Sequence, residues 1–90
     1  MDTTNYTGYV GDIAVKNSPN GFEKKIITLK MRDKQVCYIE CRNDIVQQQL
    51  NDISKGDRVE VAARLEGKIS RNSGIQYNNI VAKSITKSIL

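Results

Sequence analysis

The chain has no histidine and no tryptophan, and only one proline, one phenylalanine and two cysteines. Without histidine it lacks the commonest general base at neutral pH and the commonest imidazole metal ligand. Acid/base work would fall to carboxylates or lysines, and no acids are spaced as a metal-binding or acid/base pair. An enzyme, a bound metal and a cofactor are therefore not expected. Cys37 and Cys41 stand four positions apart. In an extended strand that spacing separates their Cα atoms by about 13 Å, beyond the ~7 Å that a disulfide spans. They are expected to be reduced core thiols. No run approaches the roughly 20 apolar residues that cross a bilayer, and the polar, acidic start is unlike a signal peptide. The expected setting is cytoplasmic, with no membrane partner.

What is present suits one soluble domain over residues 1–90, with a core over about 5–85. Apolar residues make up 39% and charged residues 27% of the chain, the mix of an ordinary globular domain. The net charge of +4 says little by itself, but its placement says more. Between Lys16 and Arg42 seven lysines and arginines face three acids, which accounts for the whole excess.

The stretch over residues 24–42 organises the rest. Two alternating runs flank a charged turn at Arg32, Asp33 and Lys34. Ile27, Leu29 and Met31 share one parity in the first run, and Cys37, Ile39 and Cys41 share one in the second, so these face inward as strands. The opposite faces carry Lys24, Ile26, Thr28, Lys30 and Arg32, then Val36, Tyr38, Glu40 and Arg42. A mostly basic strip with an aromatic between its charges suits an unpaired nucleic-acid strand.

The remaining segments close a sheet beneath that strip. Residues 5–15 read as a first strand that Gly8 and Gly11 break, as a strand must bend if it serves two sides of a small barrel. Asn17, Ser18, Pro19, Asn20 and Gly21 form the strongest turn signal. Residues 43–55 read as a short helix, capped by Asn43 or Asp44 and ended by Gly56, with Val46, Leu50 and Ile53 as its apolar stripe. Over residues 57–65 Val59, Val61, Ala63 and Leu65 point in, while Arg58, Glu60, Ala62 and Arg64 point out. Residues 66–74 read as a polar hairpin loop with Lys68 and Arg71 at its tip. Residues 76–85 are a last strand of mixed parity, which a bulge near Asn78 and Asn79 would reconcile. The end from Lys87 is expected to fray. Three strands, a helix and two strands is the order of the all-β OB-fold, a five-stranded Greek-key barrel with one helix between strands three and four.

Three fragments carry a resemblance: SPNG at 18–21 with IITL at 26–29, KGDRVEVAARL at 55–65, and GIQYNNIV at 74–81. In this order the chain resembles the bacterial single-stranded DNA-binding protein family. That resemblance implies an OB-fold that binds single-stranded DNA without base specificity. It also implies a homo-oligomer, dimer or tetramer, often paired through first strands. Such a protein would serve DNA replication, recombination, or the DNA metabolism of phage and mobile elements. The chain departs from the family's pattern in three ways. The positions where the family stacks bases on tryptophan and phenylalanine fall near Gln35, Val36, Arg42 and Ser70, none aromatic. The loop between strands two and three is cut to a tight turn, and the acidic C-terminal tail is missing. This points to a minimal relative of primosomal, phage or mobile-element type, without tail-mediated recruitment.

The candidate contacts are Lys24, Thr28, Lys30, Arg32, Tyr38, Arg42, Arg64, Lys68, Arg71 and Tyr77. Lys and Arg would neutralise phosphates, and Tyr38 or Tyr77 would stack bases. Phe22, Tyr6 and Tyr9 are further aromatics within reach of the same role. RNA is an alternative ligand, because the 2′-hydroxyl preference of an OB surface is not legible in sequence. The rival class is a protein-interaction module with Ile26 and Val36 as its contacts.

Overall fold

The computed structural model describes residues 3–17, 21 and 23–88. The elements are β1 (Thr4–Asn17), β2 (Glu23–Lys30), a 3-10 turn (Arg32–Lys34), β3 (Val36–Cys41), α1 (Asp44–Leu50), β4 (Arg58–Ile69) and β5 (Gln76–Lys87). The strands close in the order β1-β2-β3-β5-β4, with β3 and β5 parallel and the other pairs antiparallel. This is the expected OB-fold barrel. The turn expected over Ser18, Pro19 and Asn20, and Phe22, lie outside the described residues, as do the last two positions of the end expected to fray. Lys87 itself is the last residue of β5.

β1 bends because its glycines let it. Its first half pairs with β4 from Thr4 to Tyr9, and its second half pairs with β2 from Tyr9 to Asn17. The register slips between Val10 and Asp12, which places Gly11 in a bulge. Where β1 changes partner, Val10 donates to the Asp57 carbonyl at 2.9 Å and accepts from Gly56 N–H at 2.8 Å, so its backbone stays satisfied. Gly8 is required for a different reason. A Cβ there would stand 2.4 Å from the Lys30 carbonyl oxygen, so only a bare α-carbon lets β1 cross this close to β2.

The core follows the alternation. Ile27, Leu29, Ile39, Cys41, Val46, Val59, Val61 and Ala63 are fully buried, and Met31 packs against them. Both cysteines are free thiols inside this cluster, and burial pushes the Cys41 thiol up to about 12. The Asn43 side chain caps α1 by accepting from Val46 N–H at 2.8 Å. Val46 and Leu50 of the helix plug the barrel as expected, and Ile53 joins them from the turn beyond it. Gln47 donates to the Glu23 carbonyl at 2.9 Å, and Gln49 accepts from Ile85 N–H at 2.8 Å, tying the helix to β2 and β5.

Four expectations need correction. α1 ends at Leu50 rather than running to Lys55, and Gly56, at φ +89°, serves a later turn into β4. β4 runs to Ile69, so the segment expected as a loop is mostly strand, and only residues 70–75 turn. Because the β4–β5 ribbon outruns the barrel, Leu65 keeps its inward parity but finds no core beneath it, and is 63% exposed. The bulge of β5 lies at Lys83, since Ala62 pairs with Ser84 and Ala63 with Ala82. It places Ile80, Ala82 and Ile85 on the inner face and leaves Tyr77, Asn79 and Val81 on the outer one.

Candidate nucleic-acid interface

Residues opposite one another in register share a face. Thr28 lies opposite Tyr38 and Lys30 opposite Val36. Glu40 lies beside Val81, and Val81, Asn79 and Tyr77 lie opposite Arg64, Glu66 and Lys68. One outer face therefore runs unbroken across β2, β3, β5 and β4. It brings together Lys24, Thr28, Lys30, Tyr38, Arg42, Arg64, Lys68 and Tyr77 from the sequence-predicted set. Arg32 stands at the β2–β3 turn, and Arg71 in the turn at the ribbon tip. Lys68 was expected at that tip but belongs to strand β4.

Where the ribbon leaves the barrel, β3 and β5 border a groove of about 580 Å³ lined by Lys24, Ile26, Val36, Tyr38, Tyr77 and Asn79 among others. Tyr38 is 65% exposed and Tyr77 46% exposed, so both rings are available to a ligand. Asn78 and Asn79 line the same groove with amide groups suited to base edges or phosphates.

The cations of this face are less free than the alternation predicts. Glu40, expected on a solvated strip, is 7% exposed. Lys24 Nζ reaches its Oε1 at 2.6 Å, and Arg42 Nη2 its Oε2 at 3.0 Å. The other arm of the Arg42 fork donates to both Glu66 oxygens, at 2.9 and 3.0 Å. Lys68 Nζ lies 3.0 Å and Arg64 Nη2 3.4 Å from Glu66. Four cations thus share two carboxylates, and the network is positive while each member is held in place. Partial burial opposes the Arg42 charge, but its hydrogen bond to Glu66 and the field and hydrogen bond of Glu40 raise its pKa above the ordinary value. Neither Glu40 nor Glu66 is among the contacts that the sequence pattern marks. The signal for Glu66 was the alternation Arg64, Glu66, Lys68, which continues the strand pattern past the expected end of β4.

Hydrogen bonds from Arg42 and Lys68 hold the Glu66 carboxyl at about 2, against an ordinary 4.5. A carboxylate with a depressed folded pKa contributes stability that is complete above its unfolded value and is lost as pH falls through the folded one. Wild-type protein is therefore expected to lose stability between about pH 4.5 and about pH 2, and Glu66→Gln to show a flatter profile in that window. Urea unfolding at a series of pH values measures both. Equal slopes would show that Glu66 is not the titrating group.

The barrel, the short helix α1 and the groove across β3 and β5 define an OB-fold with an open groove on its outer face. Among solved structures the chain is similar to the mitochondrial single-stranded DNA binding protein Rim1 of S. cerevisiae in two crystal forms. In the first the TM-score is 0.76 at 18% identity, covering 96% of this chain and 94% of that one. In the second it is 0.71 at 21% identity, covering 97% and 95%. At these identities the likeness establishes the shared fold. No protein-family model matches the chain, and no curated protein matches its sequence.

Proposed function

We propose that this protein binds single-stranded DNA, largely without base specificity, through the groove between β3 and β5 and the outer face of β2. The observation that carries the reading is the meeting of Tyr38 and Tyr77, from distant parts of the chain, as exposed rings lining one groove beside cations. Stacking is sequence-tolerant because every base has a π-face, and each good base–aromatic contact contributes ~1–3 kcal/mol. Lys30 and the net positive network around Glu40 and Glu66 supply the field that attracts phosphates. The structural neighbours are single-stranded DNA-binding proteins by name, which supports the same ligand class. The interface offers stacking surfaces and fixed charge, which suits a binding protein rather than an enzyme. The wider setting that fits is DNA replication, recombination or mobile-element DNA metabolism.

Self-association fits the same picture. From Thr4 to Gly8, β1 pairs with β4 along one edge, and among the described residues no strand pairs with its other edge. An open strand edge takes a second strand readily, so a homodimer through antiparallel β1 pairing is the assembly this reading adopts.

Fluorescence anisotropy with labelled oligothymidylate, oligouridylate and duplex DNA over a salt series tests the proposal. Oligothymidylate is expected to bind more tightly than duplex. Its log affinity should fall linearly with log salt, with a slope of about −0.7 per phosphate contacted. Equal or tighter oligouridylate binding would make RNA the ligand. Binding to none of the three would favour the protein-interaction reading, with half-buried Ile26 and exposed Val36 as the contacts in the groove.

A further inference from the structure

Around the barrel from the groove, a third exposed tyrosine stands among cations. Tyr9 of β1 is 54% exposed. Its register partners are Lys30 on β2 and Arg58 on β4, so it has a cation beside it on each flank of the same outer face. Tyr9, Lys30 and Arg58 line a separate concavity of about 730 Å³ with Arg32, with the β1 edge from Asn5 to Gly8, and with Met31, which like Tyr6 packs against the core. The charge here is arranged differently from that in the groove. Lys24, Arg42, Arg64 and Lys68 are tied to carboxylates, whereas among the described residues no ion pair engages Lys30, Arg32 or Arg58. Gly11 keeps this side open for Lys30, because a Cβ there would approach the lysine Cε to 2.8 Å.

The two sites are joined by the sheet. Tyr38 lies two strands across and two residues along from Tyr9, since Lys30 bridges Tyr9 to Val36 and Thr28 faces Tyr38. Ordinary strand spacing and rise put that separation at about 12 Å along the surface. We propose that a single strand leaving the groove continues over Thr28 and Lys30 onto β1 and stacks a base on Tyr9, with Lys30, Arg58 and Arg32 holding the adjoining phosphates. This rests on the single-strand reading of the groove. Glu60, opposite Thr7 and two residues beyond Arg58, places a carboxylate where the cationic track ends.

A second copy of the chain is the competing occupant. Pairing through the β1 edge uses backbone groups in the plane of the sheet, while the side chains of Tyr9, Lys30 and Arg58 stand off its face. Edge pairing therefore covers the Asn5–Gly8 side of the concavity and leaves Tyr9, Lys30 and Arg58 on the face beside it. A copy packed onto the face itself would bury three cations from each chain, Lys30, Arg32 and Arg58, against one Glu60 from each, and that excess of like charge is costly. A polyanion is the better complement.

The test is a length series of oligothymidylate from about 4 to about 16 nucleotides, the span of site sizes seen per OB barrel. It is run on wild type, Tyr9→Ala, Tyr9→Phe and Arg58→Ala, with sedimentation velocity on each. Wild-type affinity is expected to climb with length to a plateau. Tyr9→Ala should reach its plateau at a shorter length and about tenfold weaker, leave the shortest oligonucleotide unaffected, and recover with Tyr9→Phe. Arg58→Ala should reduce the salt slope by about 0.7. Wild-type plateaus in Tyr9→Ala and Arg58→Ala would overturn the extension onto β1 while leaving the groove intact. Loss of affinity only in step with a lower sedimenting mass would assign the face to a second copy. Wild-type protein that binds no length would remove the groove reading as well.

Discussion

Replacing Tyr38 and Tyr77 together by alanine is expected to weaken oligothymidylate binding by roughly a hundredfold, from stacking contributions of ~1–3 kcal/mol at each ring. Folding stability should change little, because both rings lie on the outer face, Tyr38 mostly and Tyr77 about half in solvent. Anisotropy titrations paired with thermal melts separate the two effects. A competing account makes Tyr38 a cross-strand packing partner of Thr28, its register neighbour. On that account the alanine variant would lose about 0.2–1 kcal/mol of stability and bind DNA like wild type. Phenylalanine at both positions should keep most of the affinity, since the ring faces are what the bases meet.

Arg42→Ala should show the opposite balance. Its guanidinium bridges Glu40, nearly buried on β3, to Glu66 on β4, and so fastens the ribbon to the barrel wall. Removing it leaves Glu40 with Lys24 as its remaining cation and takes both guanidinium hydrogen bonds from Glu66. Breaking a buried pair costs more than its intact form contributes, and with Arg42 about one-third exposed the expected loss is about 2 kcal/mol. For a domain of this size that corresponds to a melting temperature about 10 °C lower. DNA affinity measured well below the melt should fall less than in Tyr38→Ala. A large affinity loss with unchanged melting would make Arg42 a direct phosphate contact instead of a structural clasp.

The contrast between these residues shows what the sequence carried. The period of two placed Ile27, Leu29, Cys37, Ile39 and Cys41 inside and Tyr38 outside, because alternation is a local property of a strand. Gly8 and Gly11 announced the bend of β1, since little besides a bulge or a close crossing explains glycine within such a strand. The Asn43 cap and the apolar spacing of Val46, Leu50 and Ile53 were likewise local, although the helix ends at Leu50 and Ile53 reaches the core from the turn that follows. Three other features depend on which strands become neighbours. Leu65 carries a core-facing parity, but nothing in its own segment says that the barrel ends beneath it. Glu40 alternates like a solvated residue, and only the closure of β3 onto β5, with Arg42 and Lys24 alongside, buries it. Tyr77 comes to line one groove with Tyr38 through a parallel pairing between segments some forty residues apart.

The most direct measurement is a titration of isotope-labelled protein with short oligothymidylate, followed by amide chemical shifts in heteronuclear spectra. The account predicts the largest changes along β3 and β5 around Tyr38, Tyr77 and Asn79 and on β2 around Thr28 and Lys30, with α1 unmoved. Changes confined to α1 or to the opposite face of the ribbon at Leu65 and Ile69, or no change at all, would contradict it.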